Sequence, residues 1–554
     1  MNKNNSIDKK EVTNIPVSEN INNPIIDYTR RLTKYVLINK SLSSINEKVE
    51  RLDYPVIYHF DDEDKISMIS ELRNELEEET KKENEQKDYN RITEIKGQLY
   101  KFEPNNKEKY TICSEYLQKI SEDLRLGIGF NNTFPYFYND CYWQEIPNEV
   151  MKEFLITCTI KTGFNPYQIS TIDRVEALFK QFAYSSIIPT PEYDKDTIKI
   201  NLKNGTFTIK GKEQLLVPFN SEDMFKYQLP FDYNPKAEAP IFMKFLNEVL
   251  PEEESQMILS EYLGYVLTRN LKIEKCLVLV GSGANGKSVI FDIVTALLGK
   301  ENVSSSTLGQ LCNENGYFRV NLTNKLLNYS SELGGKNCNS DTVKQLISNE
   351  PIMARSPYKD AFELRDYAKM MFNVNIFPKD GEQTSAYFRR FIFLDFDVTI
   401  PEEKQDKSLA KKIIAKELSG IFNWVLEGLN RILETEKFTE SPKSIAKKKE
   451  VELETNTVVE FMYEMGYQPD VSQKEHQEKK ALFGQYVDFC EKGKYKAVSS
   501  KEFTRRLKMC GYTVEQRKTN NQTWVYCKTG REKEERETDD LIKNALSIGK
   551  KNNQ

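Results

Sequence analysis

The sequence predicts a multidomain α/β chain: a helical and α+β N-terminal region, a central α/β core, and a small unit of three helices and a hairpin near the C-terminal end. Three observations predict it. The chain has 554 residues, room for roughly three or four domains of about 100–200 residues each. From Lys272 to about Ile400, short apolar runs of strand length alternate with helical patterns, as an α/β domain requires. Residues 455–528 read as three helical stretches followed by two strands about a polar turn.

Composition narrows the class. Apolar residues make up 39% of the chain, enough for several cores. No stretch approaches the ~20 apolar residues of a membrane span, so no membrane partner is expected. The first twenty residues, "MNKNNSIDKKEVTNIPVSEN", lack the apolar segment of a secretory signal. Nine cysteines are scattered with no Cys-x-x-Cys pair, and the only histidines are His59 and His476. That argues against a zinc site or a disulfide framework and for free thiols in a reducing cytoplasm. The net charge of −5 gives no global sign of nucleic acid, but the charge is unevenly spread.

Seven segments follow in order. Residues 1–25 read as a disordered leader. Residues 26–127 are charged, with apolar residues every three or four positions, and read as a solvated helical domain. Residues 128–235 turn aromatic and β-branched, and Asn204-Gly205 between two alternating runs predicts a hairpin. Within and just past them, "QLPFDYNPKAEAP" (228–240) carries three prolines and reads as a linker. The α/β core occupies 236–435, a basic linker ("SPKSIAKKKE") 436–454, the α+β unit 455–530 and a charged tail 531–554.

The core carries the most specific stretch, "CLVLVGSGANGKSVIFDIVTALLG" (276–299). Gly281 to Ser288 fits the phosphate-loop pattern Gly-x-x-x-x-Gly-Lys-Ser/Thr, between a strand-like run and a helical one. Gly281, Gly283 and Gly286 allow the backbone to curl until successive N–H groups face one anion, and the helix N-terminus adds partial positive charge. Lys287 supplies a point charge for the β- and γ-phosphates, and the Ser288 hydroxyl is a hard ligand for Mg²⁺. ATP and Mg²⁺ are therefore the expected ligands. Hydrolysis needs a carboxylate at the end of a neighbouring strand to orient and deprotonate water, and Glu332 is so placed after "KLLNYSS". Asn375 ends the run "MMFNV", where an amide would hold the attacking water or the γ-phosphate. Arg389 and Arg390 precede the run "FIFLDFD", an edge from which an arginine reaches a neighbouring subunit's γ-phosphate.

In this order, "GSGANGKS", "SEL", "VKQLISNEPIMARSPYKDAFEL" and "NVNIFPKDGEQTSAYFRRFIFLDFD" resemble the motifs of superfamily 3 helicases, which are AAA+ ATPases. The likeness is nearest to the phage, plasmid and poxvirus primase–helicase branch, of which Asn285 before Gly286-Lys287-Ser288 is a feature. It covers about residues 130–400 and the last unit, and is similar to self-loading helicases of staphylococcal-type mobile elements. The resemblance implies that Lys287 and Ser288 belong to the first ATPase motif and Glu332 to the second. Asn375 then matches the sensor, and Arg389 or Arg390 the arginine finger, with spacing alone not choosing between them. It places Lys359 in a hairpin that tracks DNA in a central channel, with Lys344 on the helix before it. It also implies a homo-oligomeric ring, expected to be a hexamer, translocating 3′ to 5′ on single-stranded DNA. One departure stands out: Ser331 precedes Glu332 where many relatives carry a second acidic residue, which leaves the Mg²⁺ ligands beyond Ser288 open.

Three helices followed by a hairpin make the last unit a winged helix. Its third helix opens at Ser499, with Glu502 at capping-box spacing. Phe503, Leu507 and Cys510 line one face, with Arg505, Arg506 and Lys508 away from it. Arg517 and Lys518 make the wing basic. Residues 494–528 hold nine Lys/Arg against two Asp/Glu, a local +7 in an acidic chain, the footprint expected for duplex DNA. His59 and the acidic run after it ("HFDDEDKIS") lie in a short helical region without palm-domain strands, so primase activity is not expected. The expected function is an ATP-dependent replicative DNA helicase of a mobile element or phage, self-loading at an origin. The alternative is an ATP-switched, origin-binding initiator without processive unwinding.

Overall fold

The structure, a computed structural model, describes residues 40–131, 134–188, 196–269, 271–333, 339–357, 360–375, 377, 385–495, 497–516 and 522–529. Two compact units divide at residue 191, with residues 220–226 returning to the first. Among the described residues no helix is long and apolar enough to cross a membrane.

The first unit runs α1 (Lys40–Lys48), α2 (Tyr54–Tyr58), α3 (Glu63–Lys81), α4 (Tyr89–Tyr100), α5 (Asn106–Asp123), β1 (Ile128–Asn131), β2 (Phe134–Tyr138), β3 (Trp143–Glu145), α6 (Asn148–Lys161), α7 (Pro166–Ile169) and α8 (Ile172–Ser185). Asp53, Asp62, Asp88 and Asn105 cap α2 to α5, each side chain accepting from backbone N–H groups of the first turn. The acidic run thus has a local role: Asp62 caps α3, and Glu63 and Asp64 sit in its first turn, where the helix dipole favours carboxylates. Leu42, Leu117, Phe130, Phe137, Phe154 and Phe182 share one core. The expected boundary between 127 and 128 therefore does not separate two cores. The apolar side of α5 and one face of the antiparallel β1–β2–β3 sheet are each one-sided, and they are buried together.

The second unit opens with an antiparallel sheet, β4 (Thr197–Leu202), β5 (Gly205–Lys210) and β6 (Glu213–Val217). Leu202 pairs with Gly205, so the expected hairpin forms, but its two-residue loop is Lys203-Asn204, one residue earlier than Asn-Gly predicts, and Gly205 (φ +147°) opens β5. Then follow α9 (Pro240–Val249), α10 (Glu253–Val266), β7 (Cys276–Val280), α11 (Lys287–Leu298), β8 (Val303–Ser304), α12 (Leu308–Leu311), β9 (Leu327–Ser330), α13 (Ser340–Ile347), β10 (Ile352–Arg355), β11 (Ala361–Leu364), β12 (Lys369–Val374), α14 (Ser385–Phe388) and β13 (Phe391–Asp395). Helices α15 (Leu409–Lys416), α16 (Leu418–Thr435) and α17 (Pro442–Glu454) lead to the last cluster: α18 (Thr457–Glu464), β14 (Tyr467–Pro469), β15 (Gln477–Glu478), α19 (Lys479–Gly493), α20 (Ser500–Met509), β16 (Thr513–Gln516) and β17 (Thr523–Thr529).

Two expected linkers are packed segments. The proline-rich stretch 228–240 is a strap. Leu229 N–H donates to Asn201 O and Tyr233 N–H to Asn204 Oδ1, while Asn423 Nδ2 donates to Asn234 O and Ala237 O. Phe231 and Tyr233 lie against Phe422 of α16, and Tyr233 against Phe207 of β5. Prolines forbid regular pairing here, and side chains meet the remaining backbone groups instead. The strap delivers the chain to α9, whose first N–H groups, Ile241 and Phe242, donate to the two oxygens of buried Glu417. The basic stretch 436–454 is likewise no linker, because α17 lies along β13. Lys443 and Lys447 recur at i, i+4 on one helix face and meet carboxylates there: Lys443 is 3.0 Å from Asp397 and from Glu252, and Lys447 is 3.8 Å from Asp395.

The central sheet has the order β13-β7-β12-β9-β8, every neighbouring pair parallel. Strands β7 and β12 are buried throughout, as a parallel sheet covered on both faces requires. The last cluster has its own core around Phe461, Tyr486, Phe503 and Val525. Its three helices and β16–β17 hairpin match expectation. Two additional short strands, β14 and β15, also pair with β17.

Candidate functional site

In a parallel sheet the carboxyl ends of all strands share one edge, and ligands settle where the chain reverses its direction of travel along the sheet. Here the chain leaves β7, crosses by α11 to the far-edge strand β8, returns through β9 and β12 to β7, and passes beyond it to β13. The segment Gly281–Gly286 stands at that reversal. Its start is pinned by Gly281 N–H to Val374 O (3.2 Å).

The loop is latched from within. Lys287, at the first position of α11, is buried at 7% exposure; its Nζ donates to Gly281 O at 2.6 Å and to Asn285 Oδ1 at 3.0 Å. Asn285 Nδ2 donates to Phe396 O at 2.9 Å, tying the loop to the exit of β13. Burial pulls the Lys287 ammonium below the usual lysine range, with Asp395 opposing the shift. Ser288 is exposed on the first turn of α11. Gly283 (φ +122°) and Gly286 (φ +83°) adopt backbone that L side chains rarely take. A Cβ on Gly281 would lie 2.0 Å from Asn285 Nδ2 and 2.6 Å from Phe396 O. Gly281→Ala is therefore expected to open the latch and cost about 1–3 kcal/mol of stability. Gly484→Ala, within α19 and with nothing within 4 Å of the added Cβ, is expected to add about 0.5–1 kcal/mol. Denaturant midpoints of the two variants should move in opposite directions.

The other predicted residues fall as follows. Asn375 directly follows β12, the strand beside β7, and is exposed. Glu332, exposed, follows β9 two strands away, about 10 Å across the sheet. Both are thus at the same edge as Gly281. Arg389 and Arg390 are at the opposite edge, just before β13. Arg390 is buried and occupied: it donates to Ser348 Oγ at 3.1 Å and Ala386 O at 2.7 Å, and its Nη2 lies 3.4 Å from Glu274. Arg389 is exposed, its carbonyl accepting from Lys275 Nζ. Lys344 on α13 pairs with Asp341 at 2.9 Å. Lys359, Arg517 and Lys518 lie outside the described residues.

In α20 one expectation needs correcting. Arg506 does not face away from the apolar side: it is 4% exposed, with Nε 3.0 Å from Glu502 and Nη1 3.4 Å from Asn456 Oδ1. It stands three residues after Phe503 and so shares its buried face. Ser499 caps the helix through Glu502 N–H, while the Glu502 carboxylate binds Arg505 in a two-point contact (2.8 and 2.6 Å) and also Arg506. Lys508 is exposed.

Sequence reasoning missed a buried polar set behind the loop. Tyr329 on β9 donates to Asn373 Oδ1 on β12 at 2.9 Å and packs on Phe291 of α11, with ring centroids 4.8 Å apart. Asn328 holds Ser304 Oγ, Ser306 N–H and Ser306 O. Polar residues inside otherwise apolar strand runs were the available signal.

Comparison with known proteins gives four findings. A family described as "D5 N terminal like" matches residues 58–251. A family of unknown function, DUF5906, matches residues 279–390, the glycine loop included. Putative primases from three African swine fever virus isolates are 22% identical over 226 residues, 39% of this chain, and the chain spans only 22% of their length. Among solved structures, the A form apo structure of the NrS-1 C-terminal region is 14% identical, with a TM-score of 0.39, and the match covers 74% of this chain and 99% of that one. The D5 N terminal like match and the likeness to the viral primases point to the phage and poxvirus primase–helicase family.

Proposed function

We propose that the chain is an ATP-dependent replicative DNA helicase of a phage or mobile element, acting as a homo-oligomeric ring, expected to be a hexamer, on single-stranded DNA. The observation that carries this reading is the latched loop at Gly281–Lys287, with Asn375 and Glu332 at the same sheet edge and Arg389 at the other. The loop has the form of a phosphate-binding P-loop: glycines in left-handed backbone, a helix N-terminus and a lysine inside the curl. On nucleotide binding, Lys287 exchanges two neutral acceptors for phosphate oxygens. Glu332 orients and deprotonates the attacking water, and Asn375 holds that water or the γ-phosphate.

Mg²⁺ fits the donor set. Among the described residues no group of three His, Cys, Asp or Glu could hold a metal, and Mg²⁺ is ordinarily held by one or two protein oxygens together with waters and substrate phosphates. The exposed Ser288 hydroxyl would be its protein ligand, and the ion would supply charge neutralisation at the phosphates.

Arg389 acts as the arginine finger of a neighbouring subunit, because the length of β13, about 17 Å, separates it from its own loop. The C-terminal cluster serves as a winged helix on duplex DNA through Lys508 and the wing; Arg506 holds the domain together. No priming activity is proposed for this chain, which spans only 22% of the viral relatives' length.

Strand displacement on a forked duplex with Mg·ATP tests the reading, comparing the wild type with Glu332→Gln. Unwinding by the wild type alone is expected. ATP turnover stimulated by DNA without any unwinding would instead favour an ATP-switched origin initiator.

A further inference from the structure

The amino ends of the central strands carry a second cleft. It is lined by Arg269, Lys325, Asn349, Asp366, Tyr367 and Lys369, among others. Lys369 is the first residue of β12 and pairs in register with Leu327, the first of β9. The cleft is therefore about one strand length from the glycine loop, about 17 Å or more, and is not part of that site.

Two buried polar atoms on its walls have no hydrogen-bond partner: Lys369 Nζ and Asn349 Oδ1. Lys369 is 6% exposed, and its Nζ lies 4.4 Å from the centroid of the Tyr265 ring. A ring face attracts an ammonium but does not replace the acceptors lost on leaving water. Burial pushes this ammonium down to about 8; Asp366 opposes the shift, and Lys272 and Arg269 add to it. Three cationic residues thus line a cleft with one carboxylate; Lys325 Nζ donates to Glu301 O and Arg269 lies 6.0 Å from the Tyr227 ring centroid, while the Lys369 ammonium is unsatisfied. Buried polar groups left unpaired in a folded chain call for an explanation such as a bound ion or water.

We propose that this cleft binds a phosphate group, as inorganic phosphate or as the phosphodiester of a nucleic-acid strand, with Lys369 as its buried cation. Arg269 and Lys325 complete the charge at the rim. The Asn349 amide supplies one further hydrogen bond, from Nδ2 if the amide turns over. In the phosphodiester form the proposal rests on the DNA-binding reading above; in the free-phosphate form it stands apart from it. The simplest rival occupant is a water bridging Lys369 Nζ and Asn349 Oδ1.

The test uses the full chain carrying Lys287→Ala, so that phosphate capture by the glycine loop is removed. Inorganic phosphate is titrated calorimetrically, and a fluorescein-labelled oligothymidylate by anisotropy, each with and without Lys369→Met. Methionine is close to lysine in shape and removes an unpaired charge, so the fold is kept; Arg269→Gln at the rim is the second variant. Phosphate binding is expected to fall at least about tenfold with Lys369→Met, about 1.4 kcal/mol, and to weaken in Arg269→Gln. It should also weaken as pH rises through about 8, where the Lys369 ammonium loses its proton. The charged groups around that ammonium are Arg269, Lys272, Lys325 and Asp366, and burial raises the Tyr265 and Tyr367 phenols further above the range of the experiment. If oligonucleotide affinity falls in parallel, a strand's phosphodiester is the source; if only phosphate binding falls, free phosphate is. Binding of both probes unchanged by both variants, or no phosphate bound at all, overturns the proposal and leaves water in the cleft. Oligonucleotide binding that ignores Lys369 removes only the phosphodiester form of this inference, whereas absence of unwinding on the forked duplex sinks the helicase reading alone.

Discussion

Lys287→Ala is expected to lower ATP turnover by at least about 100-fold, the usual loss when a preorganised charge at the reacting phosphate is removed, while stability changes by no more than about 1 kcal/mol. The two halves of the expectation come from the same contacts. Without nucleotide, the Lys287 ammonium satisfies Gly281 O and Asn285 Oδ1, and its removal forfeits both hydrogen bonds. The same substitution relieves the desolvation that pulls the lysine below its ordinary range. Gain and loss oppose one another, so the fold is little changed. The proposed catalysis has no such compensation, because Lys287 is the cation on the inner side of the curl and Ser288 offers only a hydroxyl. Turnover measured beside a thermal melt distinguishes the outcomes. Normal hydrolysis by Lys287→Ala would end the phosphate-loop assignment. A large drop in melting temperature would mean that the lysine is chiefly a structural latch.

How much of this was legible depends on range. The glycine loop was readable because its requirements are local: backbone freedom at glycine, one lysine and one hydroxyl within eight consecutive residues, with a strand before and a helix after. The hairpin near Asn204-Gly205 was readable for the same reason. The strap at 228–240 and the helix α17 were misread as linkers because composition reports propensity but not partners. The partners of the strap are on α16, nearly two hundred residues on, and those of α17 are Asp395 at the end of β13, Asp397 just past it and Glu252. Arg506 shows the limit within a single helix. Its charge argued for solvent, but its position three residues after Phe503 turned it inward, where Glu502 and Asn456 receive it. Lys369 was invisible for the opposite reason: a lysine opening an apolar strand looks like an exposed end, and only the tertiary fold buries it beneath Tyr265.

The arginine pair gives the second large effect, and burial separates its two members: Arg390 is buried and bonded, Arg389 exposed. Arg390→Ala is expected to destabilise the chain by about 2–3 kcal/mol, since it strips hydrogen bonds from Ser348 Oγ and Ala386 O in a buried setting and leaves Glu274 without its cation. Arg389→Ala removes an exposed side chain and should leave stability within about 0.5 kcal/mol, yet lower turnover about 1,000-fold if it is the finger. Arg389 lies at the far end of β13 from its own loop, so the proposed finger would act on the loop of a second subunit. That geometry makes a mixing experiment decisive. Chains with Lys287→Ala keep the arginine, and chains with Arg389→Ala keep the loop; each alone is inactive. In an equal mixture about a quarter of subunit interfaces pair an intact loop with an intact arginine, and turnover should recover in proportion. An arginine acting on its own loop predicts no recovery at any ratio. An arginine that is merely surface predicts that Arg389→Ala is fully active before any mixing.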